Sequence, residues 1–255
     1  MLAVRQGSIG HIRYILKNGL RWFPLYGFYF RQHSCIYVKR SGKFNQNQAE
    51  RHLQELVQDN FPFWMVIFPE GTRFNEANQK RSEAFAIKNN KPVMKHVLSP
   101  RSKAVQLSVQ HLRPNTHALY DVTIGYSNTK DGDKRKDPPT LSEFFTKASE
   151  KLHILIKRIP IEQVPDDEEK LEQFLQKSYL EKEIEMGHFY SENGQESFGE
   201  GGKVDKLSIF ETLPSVTFFL ALGAVMAGTP TGRNVYWKAT VFGTVCCWAW
   251  MSVRS

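Results

Sequence analysis

The sequence is poor in cysteine, with three residues in 255, two of them adjacent. Such a set cannot build the disulfide framework of a small secreted domain, so we expect a reducing compartment. The first ten residues, MLAVRQGSIG, hold no continuous apolar run, and we expect no secretory signal peptide in them. The chain is not short of apolar residues as a whole: at 41% hydrophobic and 24% charged, its composition excludes an intrinsically disordered protein.

Acidic residues are in deficit. Lysine and arginine number 34 against 26 aspartates and glutamates, which gives a net charge of +8. A cationic protein is attracted to nucleic acids, anionic lipid headgroups and phosphorylated substrates. No nucleic-acid reader motif occurs and the cations are dispersed, so we expect no nucleic-acid partner.

Apolar segments of two kinds alternate over the first 160 residues. The predicted strands are HIRYIL, CIYV, WMVIF, PVMKHVL, ALYDVTIGY and KLHILIKRI, although HIRYIL also fits a helical period. The predicted helices are residues 46–60, KRSEAFAIKNN and SKAVQLSVQHL. WMVIF is apolar throughout, as expected for a strand that is covered on both faces. The alternation predicts an α/β fold, a layered sheet with flanking helices.

The rest of the chain divides into three further parts. Residues 161–190 are predicted to form a helical extension, with Pro165 at the first helical position and acids that complement the helix dipole. Residues 191–207 form a polar, glycine-rich linker. Its GEGGK stretch lacks the spacing and the preceding strand of a phosphate-binding loop. Residues 1–160 would then be the α/β domain, and residues 208–255 a hydrophobic tail.

The tail contains two uncharged runs, Leu213 to Thr229 and Ala239 to Val253, separated by TPTGRNVYWK. Both runs are apolar around the whole helix circumference, which favours a membrane-associated helical hairpin. The first run is at the lower length limit for a bilayer span, and the second is shorter. The alternative is a buried pair of C-terminal helices in a soluble protein.

One short stretch, FPEGTR, combines groups suited to a phosphorylated alcohol. It follows the apolar run WMVI and begins at Phe68, the last residue of the predicted strand WMVIF, at the carboxyl end where open α/β sheets place their ligands. Gly71 lets the backbone approach a ligand, Thr72 offers a hydroxyl, and Arg73 supplies a planar fork for phosphate oxygens. Glu70 can accept from a polyol hydroxyl or hold Arg73. A plain surface turn is the alternative.

FPEGTR, LYGFYFRQHSCIYVKR and KPVMKHVLSPR together resemble the glycerophospholipid acyltransferase family, with the epsilon-type 1-acylglycerol-3-phosphate acyltransferases most similar. The resemblance extends over essentially the whole chain. It implies acyl transfer from acyl-CoA, a co-substrate, to lysophosphatidate, which gives phosphatidate; it implies no cofactor and no metal. By the same resemblance Glu70, Gly71, Thr72 and Arg73 bind the glycerol phosphate. Lys39 and Arg40, which follow the predicted strand CIYV, match a second block that contacts the headgroup.

The family's catalytic HX4D motif does not occur in these 255 residues, because none of the eight histidines has an aspartate five positions later. In that motif the histidine takes the acceptor's proton and the aspartate orients the ring. His117 and Asp121 are one residue too close together. If they lie on a strand, about 13 Å separates them, too far for a pair. The first residues resemble the family's sequence just after the motif, so we expect a chain without the family's N-terminal part.

Two functions follow from the resemblance. The first is an acyltransferase of phospholipid biosynthesis whose catalytic block lies outside this sequence. The second is a non-catalytic membrane protein that binds lysophosphatidate or phosphatidate. Both place the chain on an intracellular membrane, in the endoplasmic reticulum or the mitochondrion, with membrane lipid as a partner; the sequence indicates no particular protein partner.

Overall fold

The computed structural model describes residues 6–23, 25–38, 46–59, 61–132, 134–140, 142–143, 151–191, 197–199, 202–204 and 208–253. The chain forms two compact units. Unit 1 consists of Met1–Val66 with Lys203–Ser255, and unit 2 consists of Ile67–Gly202. Both units mix helices with strands, so the α/β class predicted from the sequence is confirmed.

Unit 1 contains a three-stranded parallel sheet. Its strands are β1 (Ile12–Lys17), β2 (Ile36–Val38) and β3 (Trp64–Val66), in the order β2-β1-β3. Parallel neighbours need a crossover, and two helices supply it: α1 (Tyr26–Gln32) and α2 (Gln46–Gln58). The strand interpretation of HIRYIL is therefore correct and its helical alternative is wrong.

The third strand is shorter and more exposed than its sequence predicts. WMVIF reads as a five-residue strand covered on both faces, but β3 has three residues and Trp64 is 37% exposed. Within the described residues β3 pairs with β1, which leaves its other edge and part of its face open. The continuous apolar run WMVIF therefore predicted a strand correctly, but the predicted burial of that strand on both faces is wrong.

Two long helices complete unit 1. They are α6 (Ile209–Gly228) and α7 (Pro230–Val253), numbered after the five helices that precede them along the chain. The predicted break TPTGRNVYWK is much shorter than expected, because α7 already begins at Pro230, a residue whose fixed φ suits a first helical position. Gly232 permits the tight turn: a Cβ there would lie 2.4 Å from the Val225 carbonyl oxygen.

Unit 2 is built on a long antiparallel strand pair with helices packed around it. Its elements are α3 (Glu76–Lys88), α4 (Lys103–Leu112), β4 (Ala118–Tyr126), β5 (Lys130–Asp131), β6 (Lys134–Arg135), β7 (Leu152–Pro160) and α5 (Glu168–Tyr190). Strand β4 pairs with β7 over its full length, and β5 with β6. The strands of the described residues therefore form three small sheets instead of one layered sheet.

Helix α5 carries the core of unit 2, because it contributes to both of its apolar clusters. One cluster is Met94, Val97, Tyr179, Met186, Phe189 and Tyr190. The other is Val105, Val109, Ile161, Val164, Leu171 and Leu175. The ring of Phe189 lies so close to Gly125 of β4 that a Cβ there would be 2.9 Å from it, so a larger residue at that point of the strand would displace this buried ring.

Two local predictions in unit 2 are wrong. Helix α5 begins at Glu168 and not at Pro165, because the carboxylate of Asp167 caps it by accepting from the backbone N–H of Lys170 at 3.0 Å. PVMKHVL forms no strand. Its backbone N–H groups at residues 95–97 donate to the Glu183 carboxylate of α5, so they are not available to a sheet.

Candidate functional site

The FPEGTR stretch of unit 2 forms a tight turn around Gly71. The N–H of Gly71 donates to the carbonyl oxygen of Phe68 at 2.9 Å, and its φ of +67° is a left-handed value that favours glycine. A Cβ at this position would lie 3.6 Å from the side chain of Arg101. The turn therefore places the backbone of Gly71, which carries no side chain, against the guanidinium of Arg101.

The turn is joined to residues 95–101, the second half of the KPVMKHVLSPR block. The N–H of Arg101 donates to the carbonyl oxygen of Pro69 at 2.9 Å. The N–H of Leu98 donates to the Glu70 carboxylate. Ser99 in turn is held by Ser82 of α3, whose hydroxyl oxygen accepts from the Ser99 N–H at 2.8 Å. Two stretches that are far apart in the sequence thus form one site.

Helix α3 fixes the last two residues of the turn. The side-chain amide of Asn78 donates to the hydroxyl oxygen of Thr72 at 3.2 Å and to the carbonyl oxygen of Arg73 at 2.9 Å. Asn78 is itself placed by the N-cap of the helix, because its N–H donates to the side chain of Asn75. Arg73 is exposed, and one of its five N–H donors is used on the carbonyl oxygen of Pro138 at 2.8 Å.

Glu70 points away from this exposed face. Its carboxyl group lies in the field of Arg135 and Lys182, both in unit 2. Burial raises the pKa of Glu70 to about 7, and the two cations and the Leu98 N–H only partly offset that effect. The carboxyl group therefore links the turn to residues 95–101, to the half-buried Arg135 and to the buried Lys182. Holding Arg73 was one of the two roles considered for Glu70, and Arg73 donates to the carbonyl oxygen of Pro138 instead.

The cations beside Glu70 are fixed by their own contacts. Arg135 donates to the carbonyl oxygen of His96, and its guanidinium lies 4.3 Å from the ring centroid of Phe74. Lys182 is buried, donates to the carbonyl oxygen of Val122 at 2.9 Å and pairs with Asp121. Burial raises the pKa of the Tyr179 hydroxyl, so this tyrosine stays protonated beside the carboxylates.

The one histidine–aspartate pair that resembles a catalytic dyad is not assembled. His117 precedes β4, and Asp121 lies within the strand. Asp121 is instead the partner of Lys182. As expected for residues on extended backbone, the two side chains do not form the hydrogen-bonded arrangement that a positioned imidazole base needs.

Lys39 and Arg40, the second pair of predicted ligands, follow the end of β2 and lie outside the described residues. Their role stays a prediction.

Three residues of the site had no predicted role. Arg101 stands inside the block that carried the resemblance, and its positive charge was the only signal for it. Asn78 and Arg135 carry no local signal, because their importance comes from contacts with residues distant in the sequence. Among the described residues no cluster of three or more His, Cys, Asp or Glu side chains could hold a metal ion.

Unit 1 contains a cavity of about 240 Å³. It is lined by Ile12, Tyr14, Tyr29, Phe30, His33 and Cys35. Binding pockets for small molecules usually measure roughly 300–1,000 Å³, so this cavity is small for a ligand. Burial raises the pKa of the Cys35 thiol, which makes it a packing group and not a nucleophile.

Two family models match the chain in succession. The model described as Acyltransferase matches residues 1–127, and the model described as Acyltransferase C-terminus matches residues 143–219. The first model ends inside unit 2, beyond the FPEGTR turn, and the second contains helix α5.

Curated relatives agree with these models. Over its whole length the chain is 40% identical to the mouse (Mus musculus) 1-acyl-sn-glycerol-3-phosphate acyltransferase epsilon, of which it covers 72%. It is 33% identical, over 74% of the chain, to the Arabidopsis thaliana "Probable 1-acyl-sn-glycerol-3-phosphate acyltransferase 5", of which it spans about half, 49%. The human gamma enzyme of the same name is 28% identical over 89% of the chain, which covers 60% of it. No solved structure matches the chain.

Proposed function

The chain belongs to the acyltransferase family, with 1-acylglycerol-3-phosphate acyltransferases as its relatives, and we propose that it acts in the acylation of lysophosphatidate to phosphatidate. The acyl donor in this proposal is acyl-CoA. The free hydroxyl oxygen of the acceptor bonds to the thioester carbonyl carbon, and the carbon–sulfur bond breaks. The hydroxyl proton passes to a base and then to the sulfur, so that CoA leaves as a thiol.

The observation that supports this proposal is that two exposed arginines, Arg73 and Arg101, belong to or pack on one glycine turn. Arg73 belongs to the turn, and the side chain of Arg101 packs on Gly71. Guanidinium groups bind phosphate oxygens through paired, charge-assisted hydrogen bonds. Thr72 adds a hydroxyl at the same place. We assign the phosphate of lysophosphatidate to the two arginines, and a glycerol oxygen to Thr72.

Glu70 takes a different part in this assignment. Because its carboxylate accepts from Leu98 and faces Arg135 and Lys182, it holds the shape of the turn and need not touch the ligand. Lys39 and Arg40 remain proposed as a second set of headgroup contacts, on the strength of the family resemblance.

A second function is favoured by the absence of HX4D from these 255 residues. Asp121 is committed to Lys182, so His117 gains no orienting carboxylate from it. A chain that grips the headgroup without a positioned base would bind lysophosphatidate or phosphatidate and turn it over slowly. The loss of a general base typically costs about 10²–10⁴-fold in rate.

We also propose a membrane location for the chain. Helix α6 is long and apolar enough to cross a bilayer, and it alone among the described helices meets both conditions. Together with the acyltransferase relatives it suggests membrane association. The helical hairpin of α6 and α7 would be the anchor and residues 1–160 the acyltransferase domain. The choice between endoplasmic reticulum and mitochondrion stays a prediction from the resemblance.

Binding and turnover of the purified 255-residue chain test the proposal. The protein would be prepared in detergent and freed of host acyltransferases. Binding of lysophosphatidate is compared with binding of the monoacylglycerol of the same acyl chain, which lacks the phosphate. We expect lysophosphatidate to bind at least about tenfold more tightly, since a charge-assisted hydrogen bond contributes about 1.5–3 kcal/mol.

Turnover separates the two functions. Phosphatidate formation is measured with radiolabelled acyl-CoA. If its rate equals that of a family enzyme that carries HX4D, the chain is an enzyme by itself, and another residue must act as the base. Binding without such turnover supports the non-catalytic alternative for the chain as given. Equal affinity for lysophosphatidate and monoacylglycerol would remove the phosphate from the site and refute both.

A further inference from the structure

An aromatic surface in unit 1 has no role in the site described above. Its described residues belong to 19–29 and include six apolar side chains that are 41–58% exposed. They are Leu20, Trp22, Phe23, Leu25, Tyr26 and Tyr29. Large apolar side chains that cluster on an exposed surface mark a contact with a membrane or another molecule. We call this set the aromatic segment.

We propose that the aromatic segment is a second membrane contact, seated in the headgroup region of a bilayer that contains anionic lipid. This inference rests on the proposed membrane location of the α6–α7 hairpin and goes beyond it. It assigns lipid contact to a part of the chain that is neither long nor apolar enough to span. Three observations carry it: a fixed backbone, continuity with the hairpin, and the charge of the surrounding sequence.

The backbone of the aromatic segment is held in one shape. Asn18–Trp22 is a 3₁₀ helix and Tyr26 begins α1. Between α1 and this helix, Gly27 lies so close to Arg21 that a Cβ would be 1.8 Å from its carbonyl oxygen. The hydroxyl of Tyr37 donates to the carbonyl oxygen of Gly27 at 2.9 Å. The exposed rings therefore stand on a rigid support and not on a loose loop.

The aromatic segment is continuous with the last turns of α7 in the same unit. The indole N–H of Trp248 donates to the carbonyl oxygen of Trp22 at 3.2 Å, and Arg21 donates to the carbonyl oxygen of Met251 at 2.7 Å. The rings of Phe28 and Trp250 meet edge to face, with centroids 5.2 Å apart. Trp and Tyr gather at the level of the lipid headgroups. If the hairpin enters a bilayer, the aromatic segment lies at that level.

The charge of the surrounding sequence favours a membrane surface that contains anionic lipid. Residues 1–49 contain eight lysines and arginines and neither aspartate nor glutamate. Four of these cations are described residues within the aromatic segment or near it in the sequence: Arg13, Lys17, Arg21 and Arg31. Basic residues within about 10 Å of an anionic leaflet are attracted to it at physiological ionic strength. Aromatic rings in a stretch of sequence whose charged residues are all basic are suited to anionic lipid.

A fluorescent label at Phe23, in the full chain reconstituted in vesicles, tests the proposal. The native cysteines are replaced by alanine, and Phe23→Cys carries an environment-sensitive dye. Matched labels go to Leu220→Cys on α6 and Ile87→Cys on α3, both 68% exposed in the structure. Each label is quenched in turn by spin-labelled lipid and by aqueous iodide. Tyr26→Cys is a second probe of the same segment, in case Phe23→Cys fails to fold.

We expect lipid quenching and loss of iodide quenching at position 23, as at position 220, and the reverse at position 87. Phosphatidylserine in the vesicles should strengthen the lipid quenching at position 23. Lys17→Glu should weaken that gain, and Lys88→Glu on α3 should leave it unchanged.

Iodide access at position 23 together with lipid quenching at position 220 would overturn the proposal and leave the hairpin in the membrane. Protection of position 23 from both quenchers would also overturn it, since a second copy or another part of the chain would then cover the aromatic segment. Lipid quenching at neither position would refute the membrane location of the hairpin as well.

Discussion

Helices α5 and α6 are of similar length and lie in different units, and they bury very different amounts of themselves. Over its 23 residues α5 buries Leu171, Leu175, Tyr179, Lys182, Met186, Phe189 and Tyr190. Over its 20 residues α6 buries none. A helix that is apolar all round and uncovered needs an apolar solvent, whereas a helix with one apolar face completes itself by packing on protein. The comparison indicates that the two helices are built for different surroundings.

Charged substitutions on the exposed apolar surface of α6 should have the largest effect, which is loss of membrane retention. The double change Val216→Arg with Leu220→Arg on α6 puts two cations on a surface proposed to face lipid. Each costs about 2.5–3.5 kcal/mol at the centre of a membrane helix on insertion scales. We expect this variant to be released from membranes by alkaline carbonate, which should leave the wild type in place.

Ile184→Arg on α5 is the matched control, because Ile184 is also apolar and is 61% exposed. It should leave membrane retention and folding unchanged. Retention of the double variant would show that α6 is not the anchor.

Truncation of apolar side chains should lower the free energy of unfolding in α5 and hardly change it in α6. Leu171→Ala or Phe189→Ala removes a side chain that is 0% exposed from the core of unit 2. We expect a loss of about 2–5 kcal/mol in the free energy of unfolding, measured by denaturant titration in detergent. Leu220→Ala on α6 should change it by less than about 1 kcal/mol, because that side chain is 68% exposed. Equal losses at the three positions would mean that α6 is a core helix.

Elements with a long local pattern could be predicted from the sequence, whereas contacts between distant segments could not. Helix α5 and strands β4 and β7 were predicted because long periodic patterns depend on local residues alone. PVMKHVL was mistaken for a strand, because its apolar pattern does not reveal that Glu183 takes its N–H groups. The FPEGTR turn could be found from composition and spacing. The packing of Arg101 on Gly71 could not, since it depends on a contact between distant segments.

The exposed guanidiniums of unit 2 offer a third test, because their proposed ligand is a headgroup and not the lipid interior. Arg73→Ala and Arg101→Ala should each weaken lysophosphatidate binding about ten- to a hundredfold and leave monoacylglycerol binding unchanged. Arg73→Lys should restore only part of the affinity, since a point charge lacks the planar fork. The measurement is equilibrium binding in mixed micelles.

Arg81→Ala is the control for these two changes: it removes an exposed arginine of α3, outside the turn. If it weakens binding as much as Arg73→Ala does, the affinity reflects overall charge and the turn is not the phosphate site.

The last test concerns Glu70, which unlike Arg73 is turned into unit 2. Burial raises its folded-state pKa to about 7 from an ordinary value of 4.5. Between these values the folded chain keeps the proton and the unfolded chain releases it, so stability must fall as pH rises from 4.5 to 7. The full loss is about 3 kcal/mol by the conversion of 1.36 kcal/mol per pKa unit.

The variant Glu70→Gln removes this titration. The control variant Glu162→Gln, at an exposed carboxylate, leaves it in place. Thermal melts at pH 5 and pH 7.5 should show that Glu70→Gln gains several degrees over wild type at the higher pH alone, at about 2–4 °C per kcal/mol. An equal gain at both values, or the same gain in Glu162→Gln, would mean that the Glu70 carboxyl is not held protonated by its surroundings, and that unit 2 treats it as an ordinary surface charge.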